Sequence, residues 1–290
     1  MILEYVIGAL SGGGVYALLT IGLALLFSVM GLMNFAYGEL LMAGGFAIYL
    51  LRDLPWPLMV LGTIAAVVVV SLIIERLAFR PLRDADAMTL LIASFAVSML
   101  LQNSARMAAG PTALGIEPYD ALQRNADLLG ASVPVIDLVA IGVTSALLVA
   151  LLMLLTRTQL GTQLRAAAED FEMANLLGVR ANRVIAAAFA ITGVLGGVAA
   201  LILILRQGTV SVTIGQMPLL IAFVGAVVGG MGSLAGAALG GFLLGAVTGL
   251  LDAVLPGELQ PFRDAFVFGL VVLVLATRPQ GLIPVREVRV

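Results

Sequence analysis

From Tyr5 to Met30 the chain passes through twenty-six residues without one charged side chain. About 20 apolar residues in a helix cross the hydrocarbon core of a bilayer, so this one run already ties the fold to lipid. It is also the first of several. Phe35–Leu51, Leu58–Ile74, Met88–Leu101, Val133–Leu155, Val184–Leu205, Met217–Val228, Ser233–Leu255 and Phe262–Ala276 repeat the pattern, separated by charged residues or by Gly and Pro. In lipid each segment must satisfy its own backbone hydrogen bonds, which makes every run a candidate helix. The fold class that follows is an all-α integral membrane protein with eight to nine transmembrane helices. Met88–Leu101 and Met217–Val228 are the weakest spans, to be read as re-entrant or as lengthened by their flanks. The whole chain, 1–290, is expected to form a single transmembrane domain.

Charge supports this. Only 11% of residues are charged, less than half of the roughly 25% a soluble domain carries. Cys, His and Lys are absent altogether. That removes disulfides, thiol nucleophiles, the commonest metal ligand and general base, and the phosphate-binding lysine of a P-loop. No cofactor or metal is expected, and an ATP-driven process would need a second chain to hydrolyse the nucleotide. The net charge of −2 gives no reason to expect a nucleic-acid partner. Met1–Tyr5 contains Glu4 and no basic residue, so no cleaved signal peptide is expected.

Arginine alone reports orientation. Arg76, Arg80 and Arg83 follow the third run, Arg157, Arg165, Arg180 and Arg183 follow the fifth, and Arg278, Arg286 and Arg289 lie in the tail. The positive-inside rule assigns these three groups to the cytoplasm. Three runs precede Arg76, which puts the N-terminus outside and the C-terminus in the cytoplasm. Two loops are long. The outer one, 106–134, carries Pro111, Glu117, Pro118, Asp120 and Asp127; the inner one, 156–183, has a helical core. In that core Leu164, Ala168 and Phe171 fall on one face at i, i+4 and i+7, with Arg165, Glu169 and Glu172 alongside. Gly178 is placed to end the helix in a left-handed cap. Membrane-surface helices tend to be basic, whereas Ala166–Leu177 is acidic, so a protein partner is expected there rather than anionic lipid.

Two further features stand out. Gly232, Gly236 and Gly240, and again Gly241, Gly245 and Gly249, recur every four residues, a spacing that lets helix backbones approach closely in lipid. The segment Gly31–Gly45, GLMNFAYGELLMAGG, joins two apolar runs through Asn34, Phe35, Gly38 and Glu39 with no hydrophilic loop between them. A carboxylate in an apolar segment costs about 2.5–3.5 kcal/mol on insertion scales. Glu39 therefore lines a translocation path or gate, with Gly38 allowing the helix to break, or else it sits in a short interfacial turn. Asp252 and Glu258 read as solvated helix ends. Ser94, Ser98 and Thr192 read as hydroxyls bonded to their own helices.

Four blocks of the sequence resemble the permease subunits of branched-chain amino acid ABC transporters, the LivH type. GLMNFAYGE at Gly31–Glu39 resembles the first, with Tyr37 where a histidine is often found. RAAAEDFEMANLLGV at Arg165–Val179 resembles the family's coupling loop, GAVVGGMGSLAGAALGGFLLG at Gly225–Gly245 a third block, and RPQGLI at Arg278–Ile283 a closing signature. Members often carry a glutamate after the third block, where this chain has Thr248 or a neighbour. The resemblance implies an importer architecture related to the ribose- and vitamin-type systems, in a bacterial inner membrane. It also implies a second permease subunit (paralogue or copy), two cytoplasmic ATPase subunits and a soluble solute-binding protein, with Leu164, Ala168, Glu169, Asp170, Phe171 and Gly178 as the ATPase-coupling element. The family also includes urea and short-amide permeases, which stand as alternatives for the solute. A secondary transporter working alone would need ionisable groups at mid-membrane, and only Glu39 offers one.

Overall fold

A computed structural model of the chain describes residues 2–31, 34–83, 85–116, 124–128, 131–169, 171–230 and 233–277. Within them the chain is helical almost throughout. The helices are α1 (Ile2–Met30), α2 (Glu39–Leu51), α3 (Trp56–Ile74), α4 (Ala87–Ala109), α5 (Val135–Arg157), α6 (Gln159–Glu169), α7 (Phe171–Leu176), α8 (Ala181–Gln207), α9 (Gln216–Gly229), α10 (Leu234–Val254) and α11 (Arg263–Thr277). Among the described residues six helical stretches are long and apolar enough to cross a membrane, and Phe35–Leu51 and Gln216–Gly229 are shorter apolar helices. An expectation of eight to nine spans counts those two and α11 as crossings. Of the two runs that looked weakest, Met88–Leu101 is lengthened by its flanks, while Met217–Val228 falls in the short helix Gln216–Gly229. Asp86 caps the former, its carboxylate accepting from Thr89 N (3.3 Å), and that helix continues past Leu101 through Gln102, Asn103 and Arg106.

The described residues group into two compact units. One comprises Met1–Ala24, Tyr119–Ala146 and Leu220–Val290. Here α10 packs through both glycine stripes, and each stripe has its own neighbour. A Cβ on Gly245 would lie 2.5 Å from the Gly12 carbonyl oxygen, and one on Gly249 would lie 2.7 Å from that of Gly8, so this stripe seats α1. A Cβ on Gly241 would meet Thr20 on the same helix. Gly236 and Gly240 instead face Gly229 and Gly225 of α9, where any Cβ would overlap backbone. Gly232, the third member of that stripe, lies outside the described residues. Thr248 Oγ1 donates to Leu244 O of its own helix (2.8 Å). The outer loop contributes an antiparallel hairpin of β2 (Asn125–Leu128) and β3 (Ala131–Pro134), with Val133 buried against Ile7. Asp137, in the first turn of α5, is buried and accepts a hydrogen bond from Ser11 Oγ (2.9 Å).

The second unit comprises Leu25–Pro118 and Leu147–Leu219. Its centre is α8, packed against α2 and α3 where Gly193 and Gly197 bring it close to Val68 and Ile64. Ser71 Oγ of α3 donates to Phe189 O of α8 (2.7 Å), and Phe79 lies against Phe189. β1 (Leu114–Gly115) pairs with β4 (Thr209–Val210) after the ends of α4 and α8. Past Ile74 the third helix widens into a π turn, Glu75–Phe79, closed by Arg80 N donating to Glu75 O, then tightens into a 3₁₀ turn, Arg80–Leu82. Glu75 is buried there and takes a 2.7 Å hydrogen bond from Arg83 Nη2; Arg83 also reaches Asn182.

The inner loop departs from its expected form. It is helical on either side of Asp170, over Gln159–Glu169 and Phe171–Leu176. Of the expected stripe Leu164–Ala168–Phe171, the first two do not share an environment, and the Phe171 side chain lies outside what the structure describes. Leu164 is buried together with Gly161 and Ala167, while Ala168 and Glu169 are exposed. The reason is the tight return after α5. Thr158 Oγ1 accepts from Gly161 N (3.0 Å), and Gly161 lies against the Leu154 and Leu155 carbonyls, which turns the i, i+3, i+6 face inward. Gly178 has φ +90°, and Val179 N donates to Ala174 O (3.0 Å), the six-to-one bond of a Schellman cap. Asp170 and the closing block Arg278–Ile283 lie outside the described residues.

Candidate functional site

The segment joining α1 to α2 does not continue as helix. Asn34 is extended (φ −100°, ψ 100°), and its side chain accepts from Ala36 N (3.0 Å), capping a single 3₁₀ turn, Phe35–Gly38. Only at Glu39 does α2 begin. Gly38 lets this turn lie against Gly215, since a Cβ there would sit 3.0 Å from the Gly215 carbonyl oxygen. The break is held from the other side by α4. Phe35 N donates to Ser94 Oγ (3.3 Å), and the Phe35 ring stacks on Phe95 at 4.1 Å between centroids.

Glu39 is 4% exposed. Its Oε1 accepts from Ser98 Oγ and from Gln102 Nε2, both at 2.7 Å. Ser98 is the twelfth of the 23 residues of α4, about 16 Å from either helix end at 1.5 Å per residue. The carboxylate is therefore held at the middle of a spanning helix rather than at a boundary. A crevice of about 580 Å³ starts at Glu39 and follows α2 to Leu50 and α4 from Leu101 to Ala109. Apart from Glu39, Tyr49 and Ser104, its walls are apolar.

Sequence reasoning singled out Asn34, Phe35, Gly38 and Glu39, and these four lie together. It passed over Ser98 and Gln102. Ser94 behaves as hydroxyls in helices usually do, donating to Leu91 O (2.7 Å), and so does Thr192 toward Phe189 O (3.0 Å). Ser98 donates to the carboxylate instead. The readable signal was the spacing, because Ser94, Ser98, Gln102 and Arg106 recur every four residues along one face of an otherwise apolar helix. Glu39, read from the sequence as the one ionisable candidate at mid-membrane, is not the only buried carboxylate among the described residues. Glu75, just past the end of α3, and Asp137, in the first turn of α5, are buried too, the first hydrogen-bonded to Arg83 and the second to Ser11, 126 residues away. Asp252 is not simply solvated, since it pairs with Arg263 at 2.8 Å.

A second cavity, of about 970 Å³, is lined by the end of α1 at Ser28–Gly31, by Arg80 and Arg83, and by Ala167–Glu169 of α6. The basic segment after α3 and the acidic helix thus share one end of their unit with the C-terminal end of α1.

The family model described as "Branched-chain amino acid transport system / permease component" matches residues 5–275. The chain belongs to this permease family. Among its relatives is the high-affinity branched-chain amino acid transport system permease protein BraD of Pseudomonas aeruginosa. The two are 34% identical over 303 residues, covering 99% of this chain and 97% of the relative. LivH of Escherichia coli K12 is 32% identical, covering 99% and 96%. A probable LivH of Methanocaldococcus jannaschii is 29% identical over 84% and 78%. This permease is a multi-pass membrane component of a transport system, and its role is transport rather than catalysis.

Proposed function

We propose that this permease forms the translocation path of an ATP-binding-cassette importer for branched-chain amino acids, with Asn34, Phe35, Gly38 and Glu39 as the gate of that path. One observation carries the reading. A carboxylate at the start of α2 is buried against the midpoint of α4, beside a helix break and at the head of a crevice. Buried ionisable groups in membranes are costly and mark solute or ion paths, and broken helices expose backbone groups to such paths. The relatives named above are branched-chain amino acid permeases, which favours that solute class over urea or a short amide.

The partners proposed are a second permease subunit (paralogue or copy), two cytoplasmic ATPase subunits and a soluble solute-binding protein, in a bacterial inner membrane. The chain acts as one permease domain, a reading supported by one family model running through both compact units. The ATPase docks on α6 and α7. With Leu164 taken up internally, the surface left for it is Ala168, Glu169 and the exposed apolar side chains Met173, Leu176 and Leu177, with Asp170, Phe171 and Gly178 completing the element. The N-terminus lies outside, because the arginines after α3 and the inner loop share a cavity with the end of α1.

The test is uptake of radiolabelled L-leucine by cells carrying the complete transporter. Loss of this chain abolishes uptake, and Glu39→Gln lowers it at least tenfold with its level in the membrane unchanged. Leucine uptake that is indifferent to loss of the chain refutes the reading.

A further inference from the structure

The cavity of about 970 Å³ at the end of α1 has walls of opposite polarity, and all of its lining residues belong to one compact unit. The positive wall is Arg80, Arg83 and the first residues of α8, Ala181 and Asn182. The Arg80 side chain makes neither an ion pair nor a hydrogen bond among the described residues. Arg83 gives its terminal nitrogens to Glu75 and Asn182, but its Nε is buried with no partner among them. Arg180 starts α8 without a side-chain cap, so the first N–H groups of this 27-residue helix are left for another acceptor. The negative wall is Glu169 of α6 and the last turn of α1, Ser28–Gly31. Of the closing carbonyls of α1, Phe27 O takes Gly31 N (2.8 Å), and those after it have no partner within the helix.

A ligand that satisfies both walls carries a phosphate for the guanidinium groups and, a few atoms away, a cation with N–H donors for the carboxylate and the carbonyls. The cavity lies where α1 and the third spanning stretch end and α4 begins, the level at which headgroups meet a spanning helix. Leu77, Met88 and Ile92, close in the chain to its lining residues, are exposed and apolar, a surface on which acyl chains can lie. Basic pockets between spanning helices hold phospholipid headgroups. We infer that this cavity binds the headgroup of a phosphatidylethanolamine, the phosphate against Arg80, Arg83 and the start of α8, the ammonium against Glu169 and the end of α1. Phosphatidylglycerol brings the phosphate but sets no cation against Glu169. Phosphatidylcholine brings a cation with no N–H to donate. The site is separate from the Glu39 crevice and does not depend on the importer reading.

The experiment uses the purified full-length chain in nanodiscs of phosphatidylcholine, alone or with a fixed fraction of phosphatidylethanolamine or phosphatidylglycerol. The chain has no cysteine, so Ala85→Cys, on the cavity wall, offers a single thiol whose rate of modification by a maleimide reports occupancy. Ala168→Cys, also on the wall and exposed, gives the same reading if Ala85→Cys elutes as aggregate, and Asn125→Cys in the other unit is the control for a general effect of lipid. Phosphatidylethanolamine is expected to slow modification at least fivefold and phosphatidylglycerol less than twofold, with the control rate unchanged. Adding Arg80→Gln removes the protection. Adding Glu169→Gln removes the preference for phosphatidylethanolamine over phosphatidylglycerol. Both substitutions are at exposed positions, so neither is expected to unfold the chain. Equal rates in all three lipids overturn the site. Equal protection by phosphatidylglycerol in the unaltered cavity overturns the role of Glu169, and protection that survives Arg80→Gln overturns the placing of the phosphate. Equal protection by free phosphoethanolamine added to phosphatidylcholine nanodiscs overturns the lipid in favour of a soluble phosphate ester.

Discussion

Gly245→Ala should loosen the packing of α1 on α10 by an amount that can be worked from the contact geometry. The new methyl carbon would lie 2.5 Å from the Gly12 carbonyl oxygen, 2.7 Å from Tyr16 Cβ and 2.9 Å from Gly13 Cα. Carbon contacts are optimal near 3.5–4.0 Å, so relief requires the helices to part by about 1 Å. All three encroached atoms belong to backbone or to Cβ, so no rotamer change can absorb the clash. A gap of 0.5–1 Å forfeits roughly a quarter to a half of each van der Waals well, and the gap would extend along the seam to Gly249 and Gly241. Overpacking of this kind costs about 1–3 kcal/mol. Gly142→Ala in α5 is the control, since a Cβ there meets nothing within 4 Å. It should stabilise by up to about 1 kcal/mol through helix propensity. The assay is the thermal unfolding midpoint of the purified chain in one detergent, with elution profile as the check on assembly. A Gly245→Ala midpoint equal to that of Gly142→Ala would refute the argument that backbone contact, rather than spacing alone, explains the glycines.

Tyr37→Phe should raise stability by about 1–3 kcal/mol, because the Tyr37 hydroxyl is buried without a hydrogen-bond partner among the described residues; a lower unfolding midpoint would show that it is bonded in the folded protein. Gly178→Val should strain the turn after α7 by about 1–3 kcal/mol, since a β-branched residue is poorly tolerated at φ +90°. That variant should insert normally but lose ATPase association in a co-purification, and normal co-purification would remove α7 from the coupling element. The chain has no cysteine, so Gln163→Cys and Asn125→Cys can be labelled without background. An impermeant thiol reagent applied to intact cells should modify only the second; modification of the first would invert the orientation.

Lipid makes part of such a fold readable. The spans were visible because no alternative use exists for twenty apolar residues in a row, and the glycine stripes because small residues in hydrocarbon have few other roles. Which neighbour each stripe would meet was not visible. Gly236 and Gly241 lie one and a half turns apart on α10, and their partners, α9 and α1, are separated by most of the chain. The same limit hid half of the Glu39 site. A lone carboxylate in an apolar run announces a partner without naming it, and Ser98 and Gln102 lie 59 and 63 residues away. The stripe on the inner helix failed for a different reason. Periodicity defines which residues share a face, but Leu164 faces inward and Ala168 outward because Gly161 fits under the last carbonyls of α5, a contact set by the loop and not by the helix.

The π turn at Glu75–Phe79 makes this region respond differently to insertion and deletion, in a way that substitution scans would miss. A π turn holds one residue more than the α-helix around it can accommodate. Deleting a single residue between Arg76 and Phe79 would let the backbone return to regular α geometry, and every backbone hydrogen bond could still be made. An added residue has no such outlet, because the turn already holds one in surplus, and it would rotate all that follows by about 100°. Arg83 would then swing away from Glu75, leaving a carboxylate that is now 5% exposed without its 2.7 Å guanidinium partner. The number of residues between Glu75 and Arg83 is thus capped by an ion pair, while their identities are left freer.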